Sequence, residues 1–359
     1  MPAQSKRIKI GIVGAGFFGQ LAHIANYALV KDCEMVALAA GRPELRHLVA
    51  ERYVIKRTYA SHIELLRDPE IEAVVAVTAR LGTGPVALDC LKAGKSLLTE
   101  KPMASTVEQA EKLVAAQSKN TTYAVGYMRR YDAGIQKAKM ILDELIRSKE
   151  LGPILYTRVH CFAGDAYCKS DGHIVTDEKK TTHWETWPSA PDWVPEEQRQ
   201  EYHQYLNVYC HDLNLVRYLF GKTPVVSHVQ FDKPGAKLAI LDFGDHMALL
   251  ETGFSTSRGW DESIEIYFAD GRLQIIPPPA LLKNVPAEVR LYKAGTIQQE
   301  LRSLTEWSWS FRRQAEAFIN DVREGRESLS SGTDSLEDIR LVETMWKMKL
   351  KYKDSLVTI

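Results

Sequence analysis

The chain carries no surplus of charge of either sign, because 46 basic and 46 acidic side chains cancel. A protein that tracks a phosphate backbone normally has a basic excess, so nucleic-acid binding is not expected. Long apolar runs are missing as well. Stretches such as residues 73–77 (AVVAV) fall far short of the roughly 20 residues that cross a bilayer, which argues against a membrane partner. Cysteines are few and dispersed: Cys33, Cys90, Cys161, Cys168 and Cys210 form neither a CxxC pair nor a zinc-like spacing. That pattern predicts reduced thiols and no metal site. The first residues, MPAQSKR, run directly into IKIGIVG without the apolar segment of a secretory signal, so a cytoplasmic location is expected.

What is present is organisation. A length of 359 residues suits two domains better than one core. The first third alternates short β-branched apolar runs with helical spacing: strands at residues 8–13, 35–39, 73–78, 96–99 and 122–126, helices at 20–30, 43–52, 86–93 and 106–117. Gly94 reads as a helix-ending glycine. This alternation predicts a parallel sheet with helices on both faces over residues 1–126. After Arg130 the grammar changes to a long helix at 133–145 and period-2 strands at 154–162, 225–231, 238–243, 247–254, 263–268, 272–276 and 289–292. Such patterning predicts a second α/β domain, residues 127–359, around a large, mostly antiparallel open sheet. A polar, aromatic insertion occupies about 164–205, and helices return at 307–324 and 335–349, where they can pack back on the first domain.

One local motif carries chemistry on its own. Gly14-Ala15-Gly16-Phe17-Phe18-Gly19 follows a strand and opens a helix at the start of a βαβ pattern. Gly14 permits the tight turn, Gly16 lets the backbone approach a pyrophosphate, and Gly19 lets helix and sheet pack closely. The unpaired N–H groups of the helix start then hold the diphosphate, with Phe17 and Phe18 inside the loop. An NAD site normally places an acid about 20 residues further on, against the adenosine ribose. Here the corresponding stretch is Ala39-Ala40-Gly41-Arg42-Pro43-Glu44. Ala40 stands where the acid would be, and Arg42 is either a contact for a 2′-phosphate or a solvated helix start. The cofactor is expected to be NAD or NADP, with the choice open.

Further along come LLTEKPMA, VGYMRRYD, HDLNLVRYLFG and SGTDSLEDIRLVETMW. With the GIVGAGFFG start, and in this order, they make the chain resemble the Gfo/Idh/MocA family over almost its whole length. The resemblance implies a Rossmann domain followed by an α/β domain whose open sheet often mediates homo-oligomers. It also implies hydride transfer between a nicotinamide and a secondary alcohol of a sugar, glycoside or cyclitol. By the same resemblance Lys101, held between a buried strand and Pro102, hydrogen-bonds the reacting oxygen and stabilises alkoxide charge. His211 accepts the hydroxyl proton, a task a helix N-terminus would assist by favouring the neutral ring. Glu100, Lys101 and Thr78 fall among the residues implied to border the cofactor.

Two departures stand out. Many members carry an aspartate four residues before the histidine, and this chain has Asn207, an amide that can orient a hydroxyl but cannot take its proton. After the third long strand, where TPNHxH-like sequences are common, the chain reads Thr78-Ala79-Arg80-Leu81-Gly82-Thr83, so Arg80 is either a substrate contact or a solvated side chain. Arg129 and Arg130 follow a strand end, and Arg130 is either structural or substrate-facing. The insertion, with Tyr167, Trp184, Trp187 and Trp193, reads as a substrate wall or lid for a carbohydrate ring, or as packing onto its own domain or a partner. Expected substrate contacts are therefore Asn207, Arg130, Lys101, His211 and Trp184. The VGYMRRYD and NLVRYLFG wording resembles relatives that oxidise glycosides at C3 of glucose. Reduction of a keto-sugar, and a non-catalytic dinucleotide or sugar sensor, are the competing readings.

Overall fold

The computed structural model describes residues 6–164, 170–179, 184–233, 235–255 and 259–356; Tyr167 and Cys168 lie outside them. The described chain forms two compact units, each discontinuous in sequence.

The first unit comprises Met1–Tyr127, Ser170–His203 and Phe311–Ile339. Its sheet begins with β1 (Ile8–Val13), where Ile10, Ile12 and Val13 are wholly buried. The helix α1 follows, wound in wide π-type turns over Gly19–Ile24 and continuing through Ala25–Tyr27. Next come β2 (Cys33–Ala39), α2 (Pro43–Arg52), β3 (Arg57–Tyr59), α3 (His62–Leu66), β4 (Ala73–Ala76), α4 (Arg80–Lys92), β5 (Ser96–Thr99), α5 (Val107–Ala116) and β6 (Tyr123–Val125). All strand pairs are parallel, in the order β3-β2-β1-β4-β5-β6. The order reverses between β1 and β4, the switch point at which open α/β sheets bind ligands at the carboxyl ends of their strands.

Two later segments complete this unit. Val125 is tied to Ser330 twice: the Val125 N–H donates to the Ser330 carbonyl at 2.8 Å, and the Ser330 hydroxyl donates to the Val125 carbonyl at 2.7 Å. Gly332 is required there, since a Cβ would stand 2.3 Å from the Tyr123 ring.

The insertion, expected to belong to the second domain, contributes residues 170–203 to the first unit instead. The reason lies in α4. This helix begins at Arg80, earlier than the expected 86, because Gly82-Thr83-Gly84-Pro85 is helical rather than a loop. Its bare glycine face receives tryptophans: Trp184 over Gly82, Trp187 over Gly84, with the Trp184 ring edge-on to His62. Trp187 N–H also donates to the Leu81 carbonyl at 3.0 Å.

The second unit comprises Met128–Lys169, Gln204–Ser310 and Arg340–Ile359. Asp132 caps α6 (Ala133–Ser148), its Oδ1 accepting from the N–H groups of Gly134 and Ile135. The eight-stranded sheet runs β14-β13-β12-β11-β7-β10-β9-β8. These strands are β7 (Ile154–Ala163), β8 (Val225–Gln230), β9 (Ala236–Asp242), β10 (Met247–Phe254), β11 (Asp261–Phe268), β12 (Gly271–Ile276), β13 (Glu288–Lys293) and β14 (Gln299–Ser303). Only the β7–β10 pairing is parallel. One face buries Val159, Cys161, Leu250, Ile264, Ile266, Leu273, Ile275 and Val289. The other carries the half-buried network in which Glu251 accepts from Arg158 Nη2 at 2.8 Å beside His160. α7 (Glu196–Phe220), α8 (Ser310–Glu324) and α9 (Gly332–Leu356) follow, with α7 beginning well ahead of His211.

A Cβ at Gly84 would lie 2.2 Å from the Trp187 ring, against 3.4 Å between Gly82 and Trp184. Gly84→Ala should therefore lose stability despite better helix propensity, by ~1–3 kcal/mol of overpacking. Gly82→Ala should be neutral or stabilising. Thermal melts of the two variants, read against the parent, test the difference.

Candidate active site

At the end of β1 the backbone is crowded from one side and open on the other. Gly14 adopts φ +105°, and a Cβ on it would stand 2.1 Å from the Val77 carbonyl oxygen, so no side chain fits. Its N–H donates to the Ala39 carbonyl at 2.8 Å, which ties β1 to β2 at the same point. A Cβ at Gly19 would lie 2.7 Å from the Gly14 carbonyl, whereas one at Gly16 would meet nothing within 4 Å. Closure at two glycines and free space at the third is what backbone approach to a pyrophosphate requires. The turn from Gly14 to Gly19 fits a dinucleotide. Phe17 and Phe18 do different work from their neighbours' amides: the Phe17 ring meets His173 edge-on, and Phe18 packs against His23 and Phe311.

Other expected cofactor residues lie at the carboxyl ends of the same sheet. Ala40 is buried just past β2, its carbonyl accepting from Arg46 Nη1, and Arg42 precedes α2. Thr78 follows β4, its hydroxyl 3.2 Å from that of Thr83. Glu100 and the half-buried Lys101 follow β5. Glu100 does not stand alone. Its Oε1 meets His23 Nε2 at 2.6 Å while its Oε2 accepts from the Lys101 N–H at 3.3 Å. His23 is thus a positioning residue for the Glu100–Lys101 pair. The sequence gives one faint signal for it, a histidine inside an apolar helix start.

Arg80 opens α4 and is exposed. Burial, and then the charge of Arg80, pushes the His203 imidazole below its ordinary value, against the opposing effect of a hydrogen bond with the Ser189 backbone. His203, Asn207 and His211 recur every four residues along α7, which puts them on one helix face. That periodicity was the available signal for His203. It also corrects the placement of His211, which lies deep inside α7 and not at a helix N-terminus. The dipole argument for its neutral ring therefore falls away. The one-turn spacing to Asn207 stands.

In the second unit, a buried charged cluster adjoins His211 along the chain. Sγ of Cys161 and the carboxylates of Asp212 and Glu262 all lie within 4.8 Å of one another. The Arg129 guanidinium pairs with Glu262, whose Oε2 also accepts from Trp260 Nε1 at 2.5 Å. Arg129 can neutralise one carboxylate. Burial, and then the charge of Glu262, pushes the Asp212 carboxyl well above its usual range.

Arg130, expected to be either structural or substrate-facing, makes contacts to α7 within the second unit. It is buried, donates from Nε to Asn214 Oδ1 at 2.6 Å and from Nη2 to the Asn214 carbonyl at 3.1 Å, and lies over the Tyr218 ring. A planar fork on side chain and backbone together fixes α7 to the segment before α6. Trp184, likewise expected at the substrate, packs over Gly82 and beside His62 in the first unit.

The raised Asp212 carboxyl has a sign. Its protonated form favours the folded state, so that contribution is complete below about pH 3.8, the ordinary value, and is lost as pH rises through the folded value. Asp212→Asn, which mimics the neutral acid, should flatten the fall in melting temperature between pH 4 and pH 8. An unchanged slope would show that Asp212 is ionised in the fold.

Against known proteins, a model of the GFO_IDH_MocA family, "Oxidoreductase family, NAD-binding Rossmann fold", matches residues 8–127. Inositol 2-dehydrogenase of Rubrobacter xylanophilus is 27% identical over 281 residues, covering 77% of this chain and 74% of that protein. Among solved structures, the aldose-aldose oxidoreductase of Caulobacter crescentus superposes with a TM-score of 0.75 at 20% identity, over 96% of this chain and 98% of that one. A levoglucosan dehydrogenase bound to NADH and levoglucosan gives 0.74 at 17% identity over the same shares. The last two establish a shared fold. No helix among the described residues is long and apolar enough to cross a membrane.

Proposed function

We propose that the chain, whose residues 8–127 match the Gfo/Idh/MocA family of NAD-binding oxidoreductases, is a member of that family and moves hydride between a secondary alcohol of a sugar, glycoside or cyclitol and a nicotinamide. The product in the oxidative direction is the keto-sugar. The observation that carries this reading is the Glu100–Lys101 step at the end of β5, braced by His23, in a sheet whose β1 turn fits the dinucleotide. Relatives named for inositol and levoglucosan support the polyol class.

The dinucleotide, when bound, supplies the hydride acceptor. The Lys101 ammonium donates to the reacting oxygen and steadies the alkoxide as it forms. The His211 imidazole takes the hydroxyl proton and returns it in the reverse direction. Asn207, one turn away, orients a neighbouring hydroxyl and leaves the proton to His211.

Oxidation at C3 of a glucoside is the finer form of this reading. Its sequence support now weighs less, because the two segments that suggested it are joined by the Arg130–Asn214 contact and so share wording for a structural reason.

Denaturing the purified protein and identifying released nucleotide by mass spectrometry, then screening glycosides and cyclitols for its reduction, tests the class. On the best substrate, Lys101→Ala and His211→Ala should each lower kcat by about 10²–10⁴-fold with nucleotide affinity retained. Intact turnover by Lys101→Ala would refute the mechanism.

A further inference from the structure

The strand that should end in a ribose-binding acid has none, yet a carboxylate stands beside it. β2 ends at Ala39, and Ala40, Gly41, Arg42 and Pro43 follow without an acid before α2. The Glu178 carboxylate lies at the start of that helix. Its Oε1 accepts from the Glu44 N–H at 2.9 Å and its Oε2 from the Leu45 N–H at 2.8 Å and the Thr176 hydroxyl at 3.1 Å. Burial pushes the carboxyl up, but these donors and the Arg42 charge outweigh it and hold Glu178 ionised, below its usual range.

Glu178 arrives from 134 residues along the chain, on a strap of residues 170–179 laid over the cofactor turn. The strap is fastened at several points. Ile174 donates its N–H to Gln20 Oε1 at 2.7 Å and receives Gln20 Nε2 on its carbonyl at 3.1 Å. Gln20 Nε2 also reaches the Ala15 carbonyl inside the glycine turn, at 2.9 Å. His173 meets Phe17, and the Gly172 carbonyl accepts from Arg52 Nη1 at 2.7 Å. Ile174 packs against the apolar core of the sheet.

A dinucleotide whose pyrophosphate rests on the glycine turn directs its adenosine ribose toward the end of the second strand. A 2′-phosphate there would seek the same helix-start amides and the same arginine. The amides are engaged by Glu178, whose negative charge acts on Arg42 and would repel a phosphate dianion. A ribose 2′-hydroxyl, by contrast, can donate to a carboxylate. We infer that Glu178, carried by the 170–179 strap, is the residue that makes this enzyme select NAD over NADP, in place of the acid missing at the end of β2.

The inference concerns nucleotide binding alone, so its test needs no sugar and stays separate from the reading of the substrate. Binding of NAD⁺ and NADP⁺ to the full-length, nucleotide-free protein is measured by calorimetry, with AMP and 2′-phospho-AMP as fragments. The parent protein should prefer NAD⁺ by at least about tenfold, the size a single charged contact commonly supplies. Glu178→Gln should bring the two cofactors at least about tenfold closer, and Asp177→Asn should leave the ratio unchanged. A Glu178→Gln protein that melts earlier but keeps the parent's ratio would make Glu178 only a helix cap and overturn the inference. A parent that prefers NADP⁺ would overturn it without any variant, should Glu178→Gln fail to fold.

Discussion

Where β1 passes into α1, the Val77 carbonyl lies 2.1 Å from the place a Cβ on Gly14 would take. Backbones of three strands converge here, because Gly14 also bonds Ala39 at the end of β2. Only a residue without a side chain, and at φ +105°, lets them meet. The closeness brings Gly14–Gly19, Thr78, Glu100 and Lys101 to one edge of one sheet. Loosening it would displace both the amides that face a diphosphate and the lysine that follows β5, although Lys101 lies nearly ninety residues away in sequence.

Around that point the unit is assembled from pieces that are remote in the chain. Tryptophans of the insertion settle on the glycines of α4, a serine segment near Ser330 adds to β6, and Phe311 closes over Phe18 and His23. Each piece answers a local deficiency: a bare helix face, an uncovered strand edge, a half-buried ring. Aromatic area fills the first and third, and hydrogen bonds the second.

Much of this was legible in the sequence where one local pattern dominated. Residues 8–13 and 96–99 are short runs dominated by β-branched or apolar residues, and Pro43 marks the start of α2, so those elements fall where expected. Three kinds of element were hidden. β3 and β14 are short and largely exposed, with no alternation to read. The first half of α7, EEQRQEYHQ, is too polar to announce a helix, and that concealed the i, i+4 repeat of His203, Asn207 and His211. The start of α4 looked like a loop because its glycines are set by tryptophan packing rather than by turn geometry. The candidate site divides the same way. The glycine turn and Lys101 announce themselves locally, whereas His23 and Glu178 matter through partners 77 and 134 residues distant, a relation that periodicity cannot carry.

The contact of Val125 with Ser330 has a bearing on synthesis as well as on stability. A nascent chain that has emerged only as far as β6 holds every strand of the dinucleotide sheet but has neither the cover for its last strand nor the ring that seals Phe18. Domains commonly fold in order as they leave the ribosome. Here the amino-terminal unit reaches its full complement of contacts only once the chain has been made through Ile339, so its completion waits on the segment that follows the whole second sheet.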